Sequence, residues 1–178
     1  MAVLPIRKYG DPILRKKAIK VAAFDAALQQ TAAEMIETMQ AAKGIGLAAN
    51  QIGQTYALCV VDVGLITEGA TPQAFVNPVI LQESGKEVSY EEGCLSIPDV
   101  NEEVMRKERI LIRYQDLTGA EHQQECEGTL ARVLQHETDH LNGVFFVDRL
   151  SPLRRKLLSK KLKAIAEEAM QELRQNRS

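Results

Sequence analysis

Two of the three histidines in this chain lie four residues apart, in a stretch with the pattern H-E-x-x-H. On a helix, that spacing places both imidazoles on one face, one turn apart, so both can reach a single metal ion. His136 and His140 are therefore candidate metal ligands, and Glu137 beside them is a candidate general base. The pattern predicts a metal-dependent hydrolase. A solvated helix with two surface histidines is the alternative.

Glu137 falls on the apolar side of its predicted helix. The i, i+3, i+4, i+7, i+11 series that defines this side consists of Leu130, Val133, Leu134, Glu137 and Leu141. Such a stripe faces a protein core, where a carboxylate without a partner is costly to bury. A metal site with its water supplies a partner, so this position favours the metal site. Gly143 is placed to end the helix.

A catalytic metal site needs a third protein ligand, because open sites usually combine three ligands with a water. The metzincin extension requires a histidine at position 146, which is Phe146 here. A downstream glutamate of the thermolysin type would come from the last helix, whose spacing is typical of a solvated surface. Cys94 is the remaining candidate, since a thiolate binds zinc or ferrous iron well. A core cysteine, or a nucleophile with His136 as its base, are the alternatives for Cys94.

Length and composition are those of a globular protein, and we expect residues 1–178 to form a single catalytic domain. Hydrophobic residues make up 45% and charged residues 26%, and the net charge of -2 gives no sign of direct DNA binding. We find no apolar run typical of a signal peptide or membrane span. The three cysteines lack a disulfide pattern. These features predict a cytoplasmic protein with no membrane association.

Capping signals predict three helices. Asp11 before Pro12 indicates a short helix, and Asp25 begins a helix of about five turns that Gly44 ends. Ser151 caps the last helix, which is amphipathic. Its predicted apolar side consists of Leu153, Leu157, Leu158, Leu162, Ile165, Ala166, Met170 and Leu173. Its predicted basic side consists of Arg154, Arg155, Lys156, Lys160, Lys161 and Lys163. We interpret the basic side as a solvated face, with partner binding as the alternative.

Apolar runs rich in β-branched residues predict the strands, at residues 56–62, 74–81, 87–92 and 109–116, with a return strand through His122. Pro78 suggests an edge or a break in the second of these. His122 is predicted to be exposed and uninvolved, and Cys59 to be a core residue. The segment around Cys94 is predicted to bend, because Gly93 and Pro98 flank it. The order of elements predicts an α+β fold with mostly antiparallel β-sheets around a central H-E-x-x-H helix.

The segment 44–53 consists of small residues with glycines at both ends. It is predicted to be neither a strong helix nor a strong strand. Its physical use is close approach of the backbone to another element or to a ligand. Gln51 is its one long polar side chain, and from this segment alone it could equally be an amide that stabilises a turn.

Three ordered segments together resemble the signature motifs of the peptide deformylase family. They are G-I-G-L-A-A-N-Q at 44–51, E-G-C-L-S-I-P at 92–98 and Q-H-E-T-D-H-L at 135–141. The opening region 6–15 also resembles the start of these enzymes, so the likeness covers nearly the whole chain. The resemblance implies a cytoplasmic bacterial enzyme that removes the N-formyl group from the formylmethionine of new polypeptides. A zincin-type metalloprotease and a non-catalytic metal-binding module are the alternatives.

The resemblance also implies roles for individual residues. The metal ligands would be Cys94, His136 and His140, holding one divalent ion, with Fe²⁺ in the cell and Zn²⁺, Ni²⁺ or Co²⁺ as substitutes. Glu137 would be the general acid and base. The Gln51 amide and the Leu95 backbone N–H would stabilise the oxyanion.

For the substrate, the resemblance implies an added strand and an apolar pocket. The residues implied to bind the formylmethionyl peptide are Gly44, Ile45, Gly46, Gly93, Tyr90, Arg132 and Val133. Asn101 stands where several relatives carry arginine, which puts contacts beyond the methionine in doubt. Because the substrate is a nascent chain, the basic face of the last helix is a candidate ribosome contact. We further expect Asp139 to pair with a basic residue such as Arg106 and brace the motif helix.

Overall fold

Five antiparallel strands form a sheet in which spatial order follows chain order. The computed structural model describes residues 2–177. The strands are β1 (Gly46–Ala48), β2 (Leu58–Val61), β3 (Gln73–Cys94), β4 (Ile97–Gln115) and β5 (Glu121–Glu127). Because β1 pairs only with β2, it lies at one edge of the sheet. The predicted α+β class with antiparallel pairing is confirmed.

Three α-helices and four 3₁₀ helices complete the fold within residues 2–177. The α-helices are α1 (Ala26–Ala41), α2 (Gly128–Leu141) and α3 (Pro152–Gln175). The 3₁₀ helices are Pro12–Arg15, Ala49–Ile52, Val63–Leu65 and Phe146–Arg149. The predicted caps are confirmed, because the side chain of Asp25 accepts a hydrogen bond from the Leu28 N–H and that of Ser151 accepts one from the Arg154 N–H.

Strands β3 and β4 form one long hairpin, which differs from the prediction. The separate strands expected at 74–81 and 87–92 are parts of β3. Pro78 does not end the strand, because the pairing register shifts between Val76 and Val79, and such an irregularity tolerates a residue without an N–H. Residues 97–108 of β4 were not predicted as a strand, because charged residues interrupt the few apolar ones and the sequence shows no regular apolar alternation.

The prediction that Cys94 lies in a bend outside a strand is wrong in part. Strand β3 continues through Gly93 to Cys94, and β4 resumes at Ile97. The hairpin therefore closes through a two-residue turn of Leu95 and Ser96, with Cys94 paired to Ile97. Likewise, the small-residue segment after Gly44 contains the short edge strand β1 and a 3₁₀ helix.

The two faces of the sheet pack against different helices. On one face, Leu58, Val60 and Val76 belong to a core cluster with α1. On the other face, Cys59 and Phe75 belong to a cluster with α2, so the prediction of a core role for Cys59 is confirmed. A third cluster joins α3 to the tip of the hairpin and the residues after α2. Helix α2 is thus enclosed, and all of residues 133–141 are buried, which is broader than the predicted stripe.

Helix α3 packs by a narrower side than predicted. Leu162 and Ala169 are buried, whereas Leu153 and Leu157 are 67% and 68% exposed. Placing these two leucines on the packed side was wrong. At about 100° per residue, Leu153 lies opposite Leu162 on the helix. The predicted basic side is also not purely solvated, because Arg154 forms an ion pair with β4. None of the helices within residues 2–177 is long and apolar enough to cross a membrane.

Candidate metal centre and active site

Three donor atoms converge where the end of β3 meets the middle of α2. The His140 Nε2 lies 3.2 Å from the Cys94 Sγ and 3.2 Å from the His136 Nε2. All three atoms lie within 4.8 Å of one another. The hairpin turn delivers the thiol, and the i, i+4 spacing on α2 delivers both imidazoles. The structure therefore brings together the three residues that the sequence analysis named as ligands.

This donor set fits a divalent ion. In tetrahedral sites, ligand nitrogens at about 2.0–2.1 Å and a sulfur at about 2.3 Å from the ion lie about 3.3–3.6 Å from one another, close to the observed separations. Burial and the neighbouring His136 lower the pKa of His140 well below its usual value, which keeps this ring neutral as a ligand must be. Burial also acts to lower the pKa of His136, but Cys94 and Glu92 outweigh it and raise that pKa. The surroundings of His136 thus favour positive charge.

Glu92 fixes the outer nitrogen of His136. Its Oε1 lies 2.9 Å from the His136 Nδ1. The same carboxylate accepts two hydrogen bonds from Arg106, at 2.6 and 2.9 Å, and one from Arg132 at 2.7 Å. Burial acts to raise the pKa of Glu92, but hydrogen bonds from His136 and Arg106 hold it at about 2. An ionised Glu92 favours the His136 tautomer with hydrogen on Nδ1, which leaves Nε2 free for a metal.

Asp139 extends this network along α2. Arg106 donates to its Oδ2 at 2.9 Å, as the sequence analysis expected. Arg149 donates to both oxygens of the same carboxylate, at 2.9 and 2.6 Å. Arg106 is 5% exposed, so its charge depends on Glu92 and Asp139 for compensation.

Glu137 lies beside the donor atoms with an unused acceptor. Its Oε2 is buried and has no hydrogen-bond partner among the atoms of residues 2–177. Burial raises the pKa of Glu137 to about 7. The carboxylate also explains Gly46, because a Cβ at that position would lie 2.6 Å from the Glu137 Oε1 and 2.9 Å from the Val133 Cγ1. A glycine on β1 is what lets the edge strand approach this side chain.

Gln51 lies on the other side of Cys94. Its Oε1 accepts from the Ala48 N–H at 2.9 Å, which fixes the orientation of the amide. Its Nε2 donates to the Ser96 Oγ at 3.0 Å and lies 3.5 Å from the Cys94 Sγ. The Leu95 N–H has no hydrogen-bond acceptor in the described part of the chain. Both predicted oxyanion donors thus lie next to Cys94. The Leu95 N–H follows it in the chain, and the Gln51 Nε2 lies close to its Sγ.

A cavity of about 1190 Å³ opens onto these groups. Its wall includes every substrate-binding residue named from the sequence, namely Gly44, Ile45, Gly46, Tyr90, Gly93, Arg132 and Val133. Strand β1 presents its free edge to solvent at this place. The Ile45 carbonyl accepts from the Asp62 N–H on the β2 side, and since bonding directions alternate along antiparallel strands, the polar atoms of Gly46 point away from β2.

Comparisons with known proteins decide the family. The sequence profile of the polypeptide deformylases matches residues 3–156. The chain belongs to the polypeptide deformylase family. A peptide deformylase of Brucella suis is 45% identical over 166 residues, covering 93% of this chain and 95% of the relative. A peptide deformylase of Thermotoga neapolitana is 47% identical over 164 residues, covering 92% of this chain and 97% of the relative.

A solved structure supports the same deformylase assignment. The crystal structure of the peptide deformylase from Thermus thermophilus is 44% identical to this chain, with a TM-score of 0.86. The match covers 94% of this chain and 99% of that one. The resemblance stated from the three motifs is therefore confirmed, together with the α+β fold.

Several residues around the deformylase site were missed by the sequence analysis. Glu92 was identified only as the first residue of the motif at 92–98, although its carboxylate contacts the His136 Nδ1. Arg132 was named only as a residue that binds the substrate, but its guanidinium binds Glu92 and the carbonyls of Val88 and Val104. Ser96, which holds Gln51, was also missed. Buried charges in an otherwise apolar or glycine-rich context are the signal that could have found them.

Proposed function

We propose that this protein is a peptide deformylase, which removes the N-formyl group from the formylmethionine of newly synthesised polypeptides and releases formate. The observation that carries this proposal is the buried, unpartnered Oε2 of Glu137 beside three metal-ligand atoms. A non-catalytic metal module has no use for that carboxylate. A zincin-type protease would take its third ligand from downstream of the motif. Here the third candidate ligand, Cys94, comes from upstream, and its Sγ lies 3.2 Å from the His140 Nε2.

For the metal, we assign Cys94, His136 and His140 as ligands and Fe²⁺ as the ion in the cell. One thiolate and two imidazoles also suit Zn²⁺, Ni²⁺ and Co²⁺, so these ions are expected to substitute. When bound, the ion supplies Lewis acidity, which makes water more acidic and polarises a carbonyl oxygen. Glu92 orients His136 for this role.

For proton transfer, we assign Glu137 as the general base and then the general acid. Its raised pKa, about 7, suits a group that both takes and returns a proton near neutral pH. The Oε2 takes the proton of the attacking water. It then delivers that proton to the nitrogen of the leaving amine, so that the new N-terminus departs neutral.

For oxyanion stabilisation, we assign the Gln51 Nε2 and the Leu95 N–H. Hydrogen bonds to Ala48 and Ser96 already fix the Gln51 amide, so it needs no reorganisation during the reaction. Loss of one such donor typically costs about 10²–10³ in rate.

For the substrate, we propose that the peptide pairs with Gly44, Ile45 and Gly46 as an added strand at the edge of β1. Gly93 lies in the wall of the same cavity. The methionine side chain enters an apolar pocket formed by Ile45, Tyr90, Val133 and the stem of Arg132. A formyl carbon carries only hydrogen, so a narrow site admits it and excludes larger acyl groups.

The test compares formyl-Met-Ala-Ser with acetyl-Met-Ala-Ser, using protein purified anaerobically and the same protein stripped by a chelator. We expect formate from the formyl peptide only, and only with metal present. Restoration of the stripped protein with Fe²⁺, Zn²⁺, Ni²⁺ or Co²⁺ compares the ions. Equal hydrolysis of internal peptide bonds would favour a protease, and no release from metal-loaded protein would overturn the proposal.

In the cell, we propose that residues 1–178 act as one catalytic domain in the cytoplasm, on chains that emerge from ribosomes. The exposed basic residues of α3 support a ribosome contact, since ribosomal RNA is anionic. Co-sedimentation with ribosomes should weaken when Lys156, Lys160 and Lys163 are changed to glutamate. Unaltered co-sedimentation would contradict this contact without affecting the catalytic proposal.

A further inference from the structure

The chain segment before the first 3₁₀ helix crosses both elements that carry the proposed oxyanion donors. The Arg7 N–H donates to the Gln51 carbonyl at 2.6 Å, and the Tyr9 N–H donates to the Ser96 carbonyl at 2.8 Å. Between these two bonds, the segment 7–9 ties the 3₁₀ helix after β1 to the turn of the long hairpin. The relative position of the two donors is therefore set by a third element.

Lys8 makes the third bond of this segment through its side chain. Its Nζ donates to the Leu95 carbonyl at 2.9 Å, across 87 residues of sequence. Lys8 is partly buried and lines the same cavity as Glu137. No carboxylate forms an ion pair with Lys8 within residues 2–177. Because Lys8 is partly buried and its Nζ binds a neutral carbonyl, this ammonium gives up part of its hydration for position, which indicates a role beyond surface charge.

The carbonyl that Lys8 holds belongs to the residue whose N–H is the second proposed donor. Leu95 and Ser96 are the only two residues of the turn. The Leu95 N–H and carbonyl lie on adjacent peptide planes, so restraining the carbonyl restrains the rotation that would turn the N–H away. The Leu95 side chain makes apolar contacts, since it lies against Gly44 and packs on the core cluster of α1.

We propose that Lys8 is a positioning residue of the oxyanion site, which holds the Leu95–Ser96 turn so that the Leu95 N–H faces the reacting oxygen. This inference rests on the deformylase function proposed above. Lys8 acts through Leu95, and its positive charge adds to the field that favours a developing negative charge. A displacement of about 1 Å in such a donor can cost up to about 10²-fold in rate.

The test uses Lys8→Met, which keeps the apolar stem and removes both the donor and the charge. Lys17→Met is the matched control, because Lys17 is exposed and lies outside the cavity. Lys8→Arg retains a charged donor. Each variant is loaded with metal, and kcat and KM are measured with formyl-Met-Ala-Ser. The inhibition constant of the product Met-Ala-Ser is measured as well, since the product lacks the formyl oxygen.

We expect Lys8→Met to lower kcat about tenfold, less than the ~10²–10³ for removing a donor, with KM and product inhibition unchanged. Lys8→Arg should restore much of the rate, and Lys17→Met should match the wild type. A wild-type kcat in Lys8→Met would overturn this inference and leave the deformylase standing. Parallel weakening of product binding, or a lowered melting temperature that accounts for the loss, would assign Lys8 a structural role instead. No formate from wild-type protein would overturn both proposals.

Discussion

The two histidines proposed as metal ligands lie one helical turn apart, yet they are held in different ways. The outer nitrogen of His136 contacts Glu92, which belongs to a buried network of carboxylates and arginines. The outer nitrogen of His140 is buried and has no partner in the described part of the chain. Its ring lies edge-on to Phe145, with ring centroids 5.6 Å apart. The His136 ring is thus oriented by charge as well as by stacking on Phe146, whereas the His140 ring is oriented by packing.

The difference shows how one helix can carry a metal site on a single turn. His136 lies close to the β3–β4 hairpin, where Glu92 and Arg106 supply compensated charges. His140 lies deeper, at 1% exposure, where a second carboxylate would need another buried cation. Aromatic packing fixes the His140 ring without adding charge. We therefore expect changes on the His136 side to lower both metal affinity and the free energy of unfolding, and changes on the His140 side to lower mainly the free energy of unfolding.

The largest expected effect is removal of either imidazole. His136→Ala and His140→Ala should each lose the bound metal and the formate-releasing activity, because two ligands do not make a stable open site. Metal content after desalting measures this, with His122→Ala as the matched control, since His122 is exposed and outside the cluster. Retention of a full metal complement in either variant would contradict the ligand assignment.

The next-largest expected effect comes from removing the charge of Glu92, which contacts His136. Glu92→Gln should lower metal affinity about 10–100-fold, because the partner that orients His136 is weakened. The free energy of unfolding should also fall by about 3–5 kcal/mol, since buried Arg106 loses its main counter-charge. Chelator competition and denaturant unfolding measure the two effects. The exposed neighbour Glu91→Gln is the control, and equal behaviour of both variants would refute the network.

A smaller effect on the same side comes from the far end of the network. Asp139→Asn leaves Arg106 paired to Glu92, so metal affinity should fall less than in Glu92→Gln. Arg149 also loses its carboxylate partner, but it is partly exposed and water can replace that contact. Competition with a graded series of chelators can rank the two variants. A stronger effect in Asp139→Asn would show that the network is organised from its far end.

The smallest expected effect on metal affinity comes from a change in the aromatic packing around His140. Phe145→Leu replaces the ring that lies against His140 with a smaller aliphatic side chain. A substitution of this kind typically costs about 1–2 kcal/mol of stability. Metal affinity should change less than in either network variant. Thermal unfolding of the metal-free and metal-loaded protein separates the two quantities. A loss of affinity as large as that of Glu92→Gln would show that His140 depends on its surroundings as strongly as His136 does.

What the sequence predicted well was local. Asp25 and Ser151 were assigned as caps because a side-chain oxygen binds an N–H three residues on, which needs no tertiary information. The two histidines share a helical face because they are four residues apart, which needs no tertiary information either. The prediction of Cys94 as a ligand needed more than local patterns, because its place beside the histidines depends on how the long hairpin folds back. That prediction rested on family motifs.

What the sequence could not predict depends on contacts between distant segments. Glu92 and Arg106 are 14 residues apart on paired strands, and their partners lie on α2. Residues 97–108 of β4 are rich in charged residues, one of which, Arg106, is buried in the network, so this part of the strand shows no regular apolar alternation in the sequence. Leu153 and Leu157 belong to an apolar series by composition, but only the docking of Leu162 shows which side of α3 is packed. The roles of individual site residues remain predictions.

The proposed mechanism depends above all on Glu137 acting in proton transfer while three other residues hold the metal. The most direct measurement is formate release and metal content on Glu137→Gln and wild-type protein, both purified anaerobically, with the exposed Glu167→Gln as a control. We expect an unchanged metal content and a rate lowered by about 10²–10⁴ in Glu137→Gln alone. A wild-type rate in that variant, with metal bound, would contradict the proposed mechanism.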